Sequence, residues 1–496
     1  MPTNNLINEY LSFLSEMFGF LILLCIIFII SLIVLYTLLK RWIRQRTKTL
    51  LPHLREKPST VIVGFFHPYC NAGGGGERVL WVAIRSLQNK YPNVKCIVYT
   101  GDCDATGPQI LQKARQRFNI ILPRPVEFIF LRSRNWVEAR KYPIFTLAGQ
   151  SLGSAILGFE ALMAYVPDIY IDSMGYAFTL PLFKYLGGCM VGCYVHYPTI
   201  STDMLQRVSD RELSFNNASI VSRSALLTSI KLLYYKMFAY FYGVAGSRSD
   251  FIMVNSTWTY EHIKSLWGVG DRTVIVYPPC DVSEFIKIGL NDKRNKETLI
   301  ILSIAQFRPE KNHQLQLDGF SKFLENTDLK DRSKYRLVLA GGCRDMKDSQ
   351  RVDALQQSAK DLEISEYVDF KLNIPFEDLK TMMGEATVGL HTMRDEHFGI
   401  GVVELMAAGT VTLAHDSGGP KLDILIPYNG KQTGFLASDA ESYSESLRTI
   451  LNLSEKQSID IRENARKSAE RFSDDEFNQG FISVVEPFME RIKQKE

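Results

Sequence analysis

The chain has 496 residues, 46% of them hydrophobic and 22% charged, a globular balance that excludes a disordered, collagen-like or multi-spanning membrane chain and calls for two or three domains. Its 57 basic and 54 acidic residues leave +3, but seven of the basic residues sit within 40–57, leaving a neutral body of 50 basic and 51 acidic residues beyond it. A neutral body argues against a nucleic-acid-binding surface, and no nucleic-acid partner is expected.

The first seventeen residues carry Glu9 and Glu16 but no Lys or Arg, and residues 18–39 then run uncharged for 22 positions. That is long enough for a helix to cross a hydrocarbon core of roughly 30 Å. Basic residues follow the apolar run (Lys40-Arg41-Trp42) instead of preceding it, so the pattern is that of an uncleaved anchor. Positive flanks stay cytosolic, which predicts a lumenal N-terminus at 1–17, a transmembrane helix at 18–39, a flexible basic cytosolic linker at 40–58 and cytosolic domains beyond. Eight cysteines without a C-x-x-C pair suggest neither a disulfide framework nor a zinc site. The sequons at Asn217, Asn255 and Asn452 are expected to stay unmodified in the cytosol.

Next comes an apolar, β-branched run at 60–66, a glycine loop at Gly73, Gly74, Gly75 and Gly76, and a helical pattern from Glu77 to Leu87. Further strand-like runs occur at 96–100, 126–131, 169–171, 189–195 and 251–254. Nearly continuous apolar strands alternating with helices imply a parallel sheet covered on both faces, in a domain spanning 59–290. Residues 291–296 read as a polar linker, after which the pattern restarts with strands at 299–305, 336–340, 368–372, 388–392 and 411–414. This is a second α/β domain at 291–470, with a helical tail at 471–496. Two such sheets face a cleft at the carboxyl ends of their strands. Residues 224–246, rich in Tyr and Phe with only Lys231 and Lys236 as charges, read either as a buried helix or as an interfacial membrane helix entered by Tyr234, Tyr235, Phe238 and Phe241.

The stretch from Asp395 to Gly409 places a loop between a strand end and a helix start near Gly399, where free N–H groups and the helix dipole form an anion seat. Gly399 and Gly401 admit a diphosphate to the backbone. Glu396 and Glu404 suit hydroxyl recognition, since a carboxylate accepts two hydrogen bonds in fixed geometry. His196 follows an apolar strand and is expected at its carboxyl end, in the cleft. Asp102-Cys103-Asp104 after a strand mimics a metal-binding D-x-D, against an ordinary polar turn.

Glu396-x7-Glu404 with its embedded Phe-Gly-x-Gly resembles the signature of retaining GT-B glycosyltransferases that use nucleotide sugars. The resemblance spans 60–470. Phe66–Arg78, Tyr194–Asp203 and Phe307–His313 are similar to the endoplasmic-reticulum lipid-linked α-1,2-mannosyltransferases. It implies two Rossmann-like domains facing a cleft, GDP-mannose as donor, and a dolichol-diphosphate oligosaccharide as acceptor on the cytosolic face. The product would be the fourth and fifth mannoses of the N-glycan precursor. Membrane lipid and other mannosyltransferases of the same pathway are the implied partners, and no cofactor or metal is expected. The resemblance assigns Glu396, Lys311 and His196 to catalysis. It assigns Arg308, Lys311, Phe398, Gly399, Ile400, Gly401 and Glu404 to the donor, and Gly73–Gly76 to the acceptor or the diphosphate. The family's diphosphate Arg is replaced by Gln306, with Arg308 two residues on. The alternatives are another lipid-linked retaining transferase with a different sugar or acceptor, a D-x-D enzyme of the GT-A type, and an inactive membrane scaffold with a transferase fold.

Overall fold

The computed structural model describes residues 3–55, 59–201, 204, 225–290 and 297–494. The polar stretch 291–296, the sequon at Asn217 and the motif end Thr202-Asp203 lie outside the described residues. Helix α1 (Thr3–Leu50) opens the chain, and its apolar part, from Met17, is a candidate membrane span with its side chains exposed. The helix does not stop at Leu39. It continues as one rod through Lys40–Leu50 into a short turn at Pro52–Arg55, so the expected flexible linker is structured over residues 40–55, while 56–58 lie outside the described residues. Ile43 and Thr47 are buried there, and Arg55 pairs with Asp168 at 2.5 Å.

The first lobe is a seven-stranded parallel sheet of β1 (Val61–Phe66), β2 (Val94–Thr100), β3 (Glu127–Phe130), β4 (Ile169–Asp172), β5 (Met190–Val195), β6 (Phe251–Val254) and β7 (Thr273–Ile275), in the order 3-2-1-4-5-6-7. The second lobe has six strands, β8 (Leu299–Ile304), β9 (Tyr335–Gly341), β10 (Val368–Leu372), β11 (Val388–Leu390), β12 (Val411–His415) and β13 (Phe435–Ala437), in the order 10-9-8-11-12-13. Every residue of β1 is buried, as a strand covered on both faces requires. The helices that matter below are α2 (Gly75–Lys90), α3 (Gly107–Phe118), α4 (Thr146–Ala164), α5 (Ala225–Gly246), α6 (Thr257–Trp267), α7 (His313–Glu325), α8 (Ile400–Ala408) and α9 (Asp474–Lys493).

Two findings depart from a simple reading of consecutive domains. The tail is helical, but α9 returns to the first lobe, where Phe477, Phe481, Val485 and Met489 join the core between β1, β6 and α2. The chain therefore crosses between lobes twice, and the crossings touch where Cys280 N–H donates to Phe472 O at 2.8 Å. In α5, Tyr235, Phe238 and Tyr242 are buried in the core while Leu233, Met237, Tyr240 and Phe241 are exposed. Phe238 and Tyr235 are thus core residues and not interfacial ones, because the helix packs one face on the sheet.

Each sheet reverses its strand order at a single point, between β1 and β4 in the first and between β8 and β11 in the second. Chains leaving the carboxyl ends of neighbouring strands there go to opposite faces and leave a crevice between them. The loops after these four strands, and after β5, carry the candidate site.

Candidate active site

In the second lobe, β11 is followed by buried His391 and Thr392, and a turn through Asp395, in left-handed conformation, leads to Gly399 and α8. Gly399 has φ 114°, which a side chain rarely tolerates, and it caps the helix so that the N–H groups of its first residues point outward. Glu396 Oε2 is held by Lys311 Nζ at 2.5 Å and His391 Nε2 at 3.1 Å. Burial alone would raise the Glu396 carboxyl, but Lys311 and His391 outweigh it and hold the group far below the usual carboxylate range. Lys311 ends a short turn, Pro309–Lys311, pinned by Thr392 Oγ, which donates to the carbonyl of Lys311 at 2.9 Å and lies 3.0 Å from that of Asn312. Arg308 lies in the same loop. Its buried Nε has no hydrogen-bond partner among the described residues, while its Nη1 lies 3.8 Å from Glu310 Oε1.

The first lobe supplies the facing wall. Gly73–Gly76 lead into α2, and a Cβ on Gly75 would lie 2.6 Å from Ile400 Cδ1, so the first turns of α2 and α8 meet across the cleft. Gly74 N–H donates to Glu77 Oε2 at 2.5 Å, and Glu77 Oε1 lies 3.5 Å from His67 Nε2. His67 Nδ1 bonds Ser173 Oγ at 2.9 Å, and His196 Nε2 lies 3.1 Å from the carbonyl of Ser173. A carbonyl only accepts, so Nε2 of His196 carries the proton and Nδ1 is left as an acceptor. Burial, helped by His67, pushes His196 down to about 4, so the ring is neutral at physiological pH. Tyr197 stacks on His397 at 5.2 Å and Trp258 reaches the same ring at 5.0 Å, closing the wall between lobes.

Glu404, on the second turn of α8, is the other carboxylate. Burial lifts it from 4.5 to about 7, Arg78 and Arg117 oppose the rise, and Asp281 adds to it. It has no hydrogen-bond partner among the described residues, in contrast to Glu396. Arg78 is itself held by Pro279 O at 3.0 Å and Asp474 at 2.8 Å, so α2, the interlobe crossing and α9 all fix the charge that Glu404 feels.

The structure therefore gathers Glu396, Lys311, Arg308, Gly399, Ile400, Gly401, Glu404, Gly73–Gly76 and His196 around one cleft. Phe398 is a correction. Its ring is buried against Phe472, 5.2 Å away, and Tyr277, 5.8 Å away, so only its backbone borders the cleft. Asp102 is committed elsewhere: its carboxylate pairs with Arg134 and accepts the Asn71 N–H at 2.9 Å, bracing the loop after β1. No group of three or more His, Cys, Asp and Glu side chains able to hold a metal occurs among the described residues. Asn255 is 6% exposed and donates to the carbonyl of His196 at 2.7 Å, a structural use for a residue of sequon type.

Sequence reasoning assigned no role to His391, to Arg78, or to the loop at Ser417–Gly419. Ser417 Oγ accepts the Asp395 N–H at 2.7 Å and Gly419 N–H donates to Glu396 O at 2.7 Å, so this loop clamps the turn that presents Glu396. His391 had the same signal that selected His196, a histidine at the carboxyl end of an apolar strand.

Comparison with known proteins finds matches over both lobes. A family model described as ALG11 mannosyltransferase N-terminus matches residues 60–267, and one described as Glycosyl transferases group 1 matches 290–468. A human protein named GDP-Man:Man(3)GlcNAc(2)-PP-Dol alpha-1,2-mannosyltransferase is 56% identical across 90% of this chain and 91% of its own length. A Dictyostelium discoideum protein of the same name is 49% identical across 87% of this chain and 85% of its own. Among solved structures, sucrose-phosphate synthase from Thermosynechococcus elongatus shares the fold with a TM-score of 0.60 at 15% identity, covering 87% of this chain and 100% of that one. Anabaena HepE with UDP and glucose does so with a TM-score of 0.57 at 16% identity, covering 86% and 99%.

Proposed function

Since the chain belongs to the alpha-1,2-mannosyltransferase family of these curated relatives, we propose that it transfers mannose from GDP-mannose to a dolichol-diphosphate-linked Man3GlcNAc2 oligosaccharide. It adds the fourth and fifth mannoses in α-1,2 linkage with retained configuration. It works from the endoplasmic-reticulum membrane, anchored once by α1, with both lobes in the cytosol. The observation that carries the reading is the Lys311–Glu396–His391 cluster, set beside the α8 start and facing the glycine loop and His196.

The chemistry follows from that cluster. A donor diphosphate is attracted to Lys311, Arg308 and the N–H groups at the start of α8, which neutralise the charge that grows as the sugar leaves. Lys311 then divides its charge between diphosphate and Glu396, and His391 keeps the carboxylate in place to accept hydroxyls of the transferred sugar. Glu404, on the second turn of α8, takes the ribose hydroxyls. With no side chain among the described residues set as a covalent nucleophile, the acceptor hydroxyl bonds to the sugar carbon as the bond to the diphosphate breaks, and the departing phosphate accepts the hydroxyl's proton on the same face.

The test is incubation of the purified full chain with GDP-mannose, UDP-glucose or UDP-N-acetylglucosamine, and lipid-linked acceptors carrying three, four or five mannoses. Two added hexoses from GDP-mannose on the first acceptor, one on the second and none on the third, all released by an α-1,2-mannosidase, are expected. Transfer from a UDP-sugar, or turnover of no donor at all, would overturn the reading.

A further inference from the structure

Glu396 and His196, which belong to opposite walls of the cleft, are both tied down by their backbone carbonyls. On the second lobe, Glu396 O accepts the Gly419 N–H at 2.7 Å. On the first, His196 O accepts from Asn255 Nδ2 at 2.7 Å. Gly419 leads into the turn Pro420–Ile424, which carries Asp423, and Asn255 stands two residues before Thr257, the first residue of α6. These two segments meet between the lobes. The Asp423 carboxylate, 1% exposed, accepts the Thr257 N–H at 3.0 Å and the Thr257 hydroxyl at 2.5 Å. One path, Glu396–Gly419–Asp423–Thr257–Asn255–His196, therefore joins the two walls, and each step of it that crosses between segments is a hydrogen bond no longer than 3.0 Å.

The path runs beside the pivot. Tyr277, on the crossing from the first lobe to the second, donates its hydroxyl to Asp423 Oδ1 at 2.9 Å. Arg471, on the return crossing, donates through Nη2 to the backbone carbonyl of Asp423 and, at 3.2 Å, to that of Ile424. Both crossings thus converge on one residue, and a rotation of the lobes about them moves that residue least. The ends of the path have no slack. A Cβ on Gly418 would lie 2.3 Å from Glu396 O, and one on Gly419 would lie 2.2 Å from Phe398 O, so this loop is pressed against the turn that presents Glu396. On the other side, Asn255 Oδ1 accepts from Thr259 Oγ at 2.6 Å, which holds the Asn255 amide on α6. A carboxylate buried as far as Asp423 is costly unless donors surround it. Here they do so from both lobes, and the charge stands at the start of α6, where the helix dipole favours it.

We propose that Asp423 is a positioning residue, the pin at the interlobe pivot that holds Glu396 in register with His196. The proposal rests on the transferase reading given above and assigns Asp423 no contact with donor or acceptor. Asp423 acts through the two residues at the ends of the path. The second-lobe groups that attract the diphosphate, Lys311, Arg308 and the start of α8, keep their places without it. The placement of the sugar against the facing wall does not. A misplacement of about 1 Å between reacting groups can cost roughly 100-fold in rate. Loss of the pin is therefore read in the transfer step and not in donor affinity.

The experiment uses the full chain in detergent micelles, with Cys25, Cys103 and Cys343 replaced by Ser. Nitroxides are attached through Ile121→Cys on the first lobe and Leu329→Cys on the second, both exposed. The distance distribution between the labels, single-turnover transfer from GDP-mannose and GDP-mannose affinity by calorimetry are measured for Asp423→Ala, Thr257→Pro and Thr257→Ser. Proline is tolerated at the first position of a helix, so it removes the N–H and the hydroxyl that Asp423 holds and leaves α6 intact, whereas serine keeps both. In Asp423→Ala and Thr257→Pro the distribution is expected to broaden or shift and transfer to slow by about 10- to 100-fold, with donor affinity within about threefold. Thr257→Ser is expected to behave as wild type. If Asp423→Ala does not fold, the two Thr257 variants carry the comparison. Slowed transfer with an unchanged distance distribution overturns the proposal, as does donor affinity that falls in step with transfer, or a Thr257→Pro protein that transfers at the wild-type rate. A wild-type chain that moves no mannose from GDP-mannose overturns the transferase reading instead, and the label distances still decide on the pin.

Discussion

The carboxyl of Glu404 at about 7 makes two quantities depend on pH in opposite directions. In the free protein its folded value lies above the unfolded value of about 4.3, so holding the proton stabilises the fold. That stabilisation is complete below the unfolded value and is lost as pH rises through 7. The rise from about 4.3 to about 7 corresponds to ~4 kcal/mol, at roughly 1.4 kcal/mol per pH unit. Glu404→Gln keeps the shape and never ionises, so it should unfold at the wild-type temperature near pH 4 and at a higher temperature at pH 8, by ~2–4 °C per kcal/mol for lobes of this size. Donor binding runs the other way if the ionised carboxylate accepts the ribose hydroxyls. The dissociation constant is then multiplied by 1 + 10^(7−pH), about 11 at pH 6 and about 1.1 at pH 8. GDP-mannose, whose doubly esterified diphosphate does not titrate in this range, should bind wild-type protein about tenfold more weakly at pH 6 by calorimetry. The Gln variant should bind it weakly at both. A pH slope retained in the variant, or a variant less stable than wild type at pH 8, would refute the role given to Glu404.

His391→Phe removes one of the two groups holding Glu396, and a hydrogen bond to a charged group is worth about 1.5–3 kcal/mol, or roughly 10- to 150-fold in rate. Single-turnover transfer should slow by that factor while GDP-mannose affinity measured by calorimetry stays within about twofold. Gly418→Ala places a Cβ against the backbone of Glu396 at φ +58°, so it should cost at least about 1 kcal/mol in thermal unfolding and impair transfer as well. Phe481→Ala, although it lies in the C-terminal tail, should cost about 3–5 kcal/mol and speed hydrogen exchange in β1 and β6 of the first lobe rather than in β8 and β11. Transfer should persist in EDTA, and Asp102→Asn should lower the melting temperature, through the lost Arg134 contact, without creating a metal requirement. Activity abolished by EDTA and restored by Mn²⁺ would reverse that assignment.

What the sequence made legible was local in origin. Runs such as Val61–Phe66 and Leu299–Ile304 announce buried strands because both faces are covered, and Gly399 announces a helix start because its φ is closed to other residues. The short edge strands Thr273–Ile275 and Phe435–Ala437 were not legible, since three residues carry too little periodicity. Nor was the return of α9 to the first lobe: its apolar stripe specifies a partner surface, not which one. At the site, the carboxylates were read through the resemblance of Glu396-x7-Glu404, because two acids at that spacing would by themselves suit a helix cap and a solvated face equally well. Lys311 was read through the same resemblance and His391 carried a readable signal, but the groups that set the charge of Glu404, namely Arg78, Arg117 and Asp281, were not read, because they arrive from the first lobe and the interlobe crossing.

This division separates the two carboxylates physically. The charge on Glu396 is set by Lys311 and His391, both in the second lobe, so it is fixed however the lobes stand. Glu404, on the same helix, takes its opposing charges from Arg78 and Arg117 in the first lobe and its added repulsion from Asp281 at the interlobe crossing. Opening the cleft moves those charges away and admits water, so the desolvation that lifts Glu404 falls together with the field of Arg78. The two changes pull in opposite directions, but burial is the larger, so opening should lower Glu404 toward an ordinary carboxylate. A protonated Glu404 therefore depends on the lobes standing as they do here, and binding of the donor through an ionised Glu404 requires either their separation or the loss of that proton. A proton release that accompanies donor binding at pH 7, measured by calorimetry in buffers of different ionisation enthalpy and absent in Glu404→Gln, is the direct signature of this coupling. Binding without proton exchange in wild-type protein would show that Glu404 enters the complex in the state it already holds.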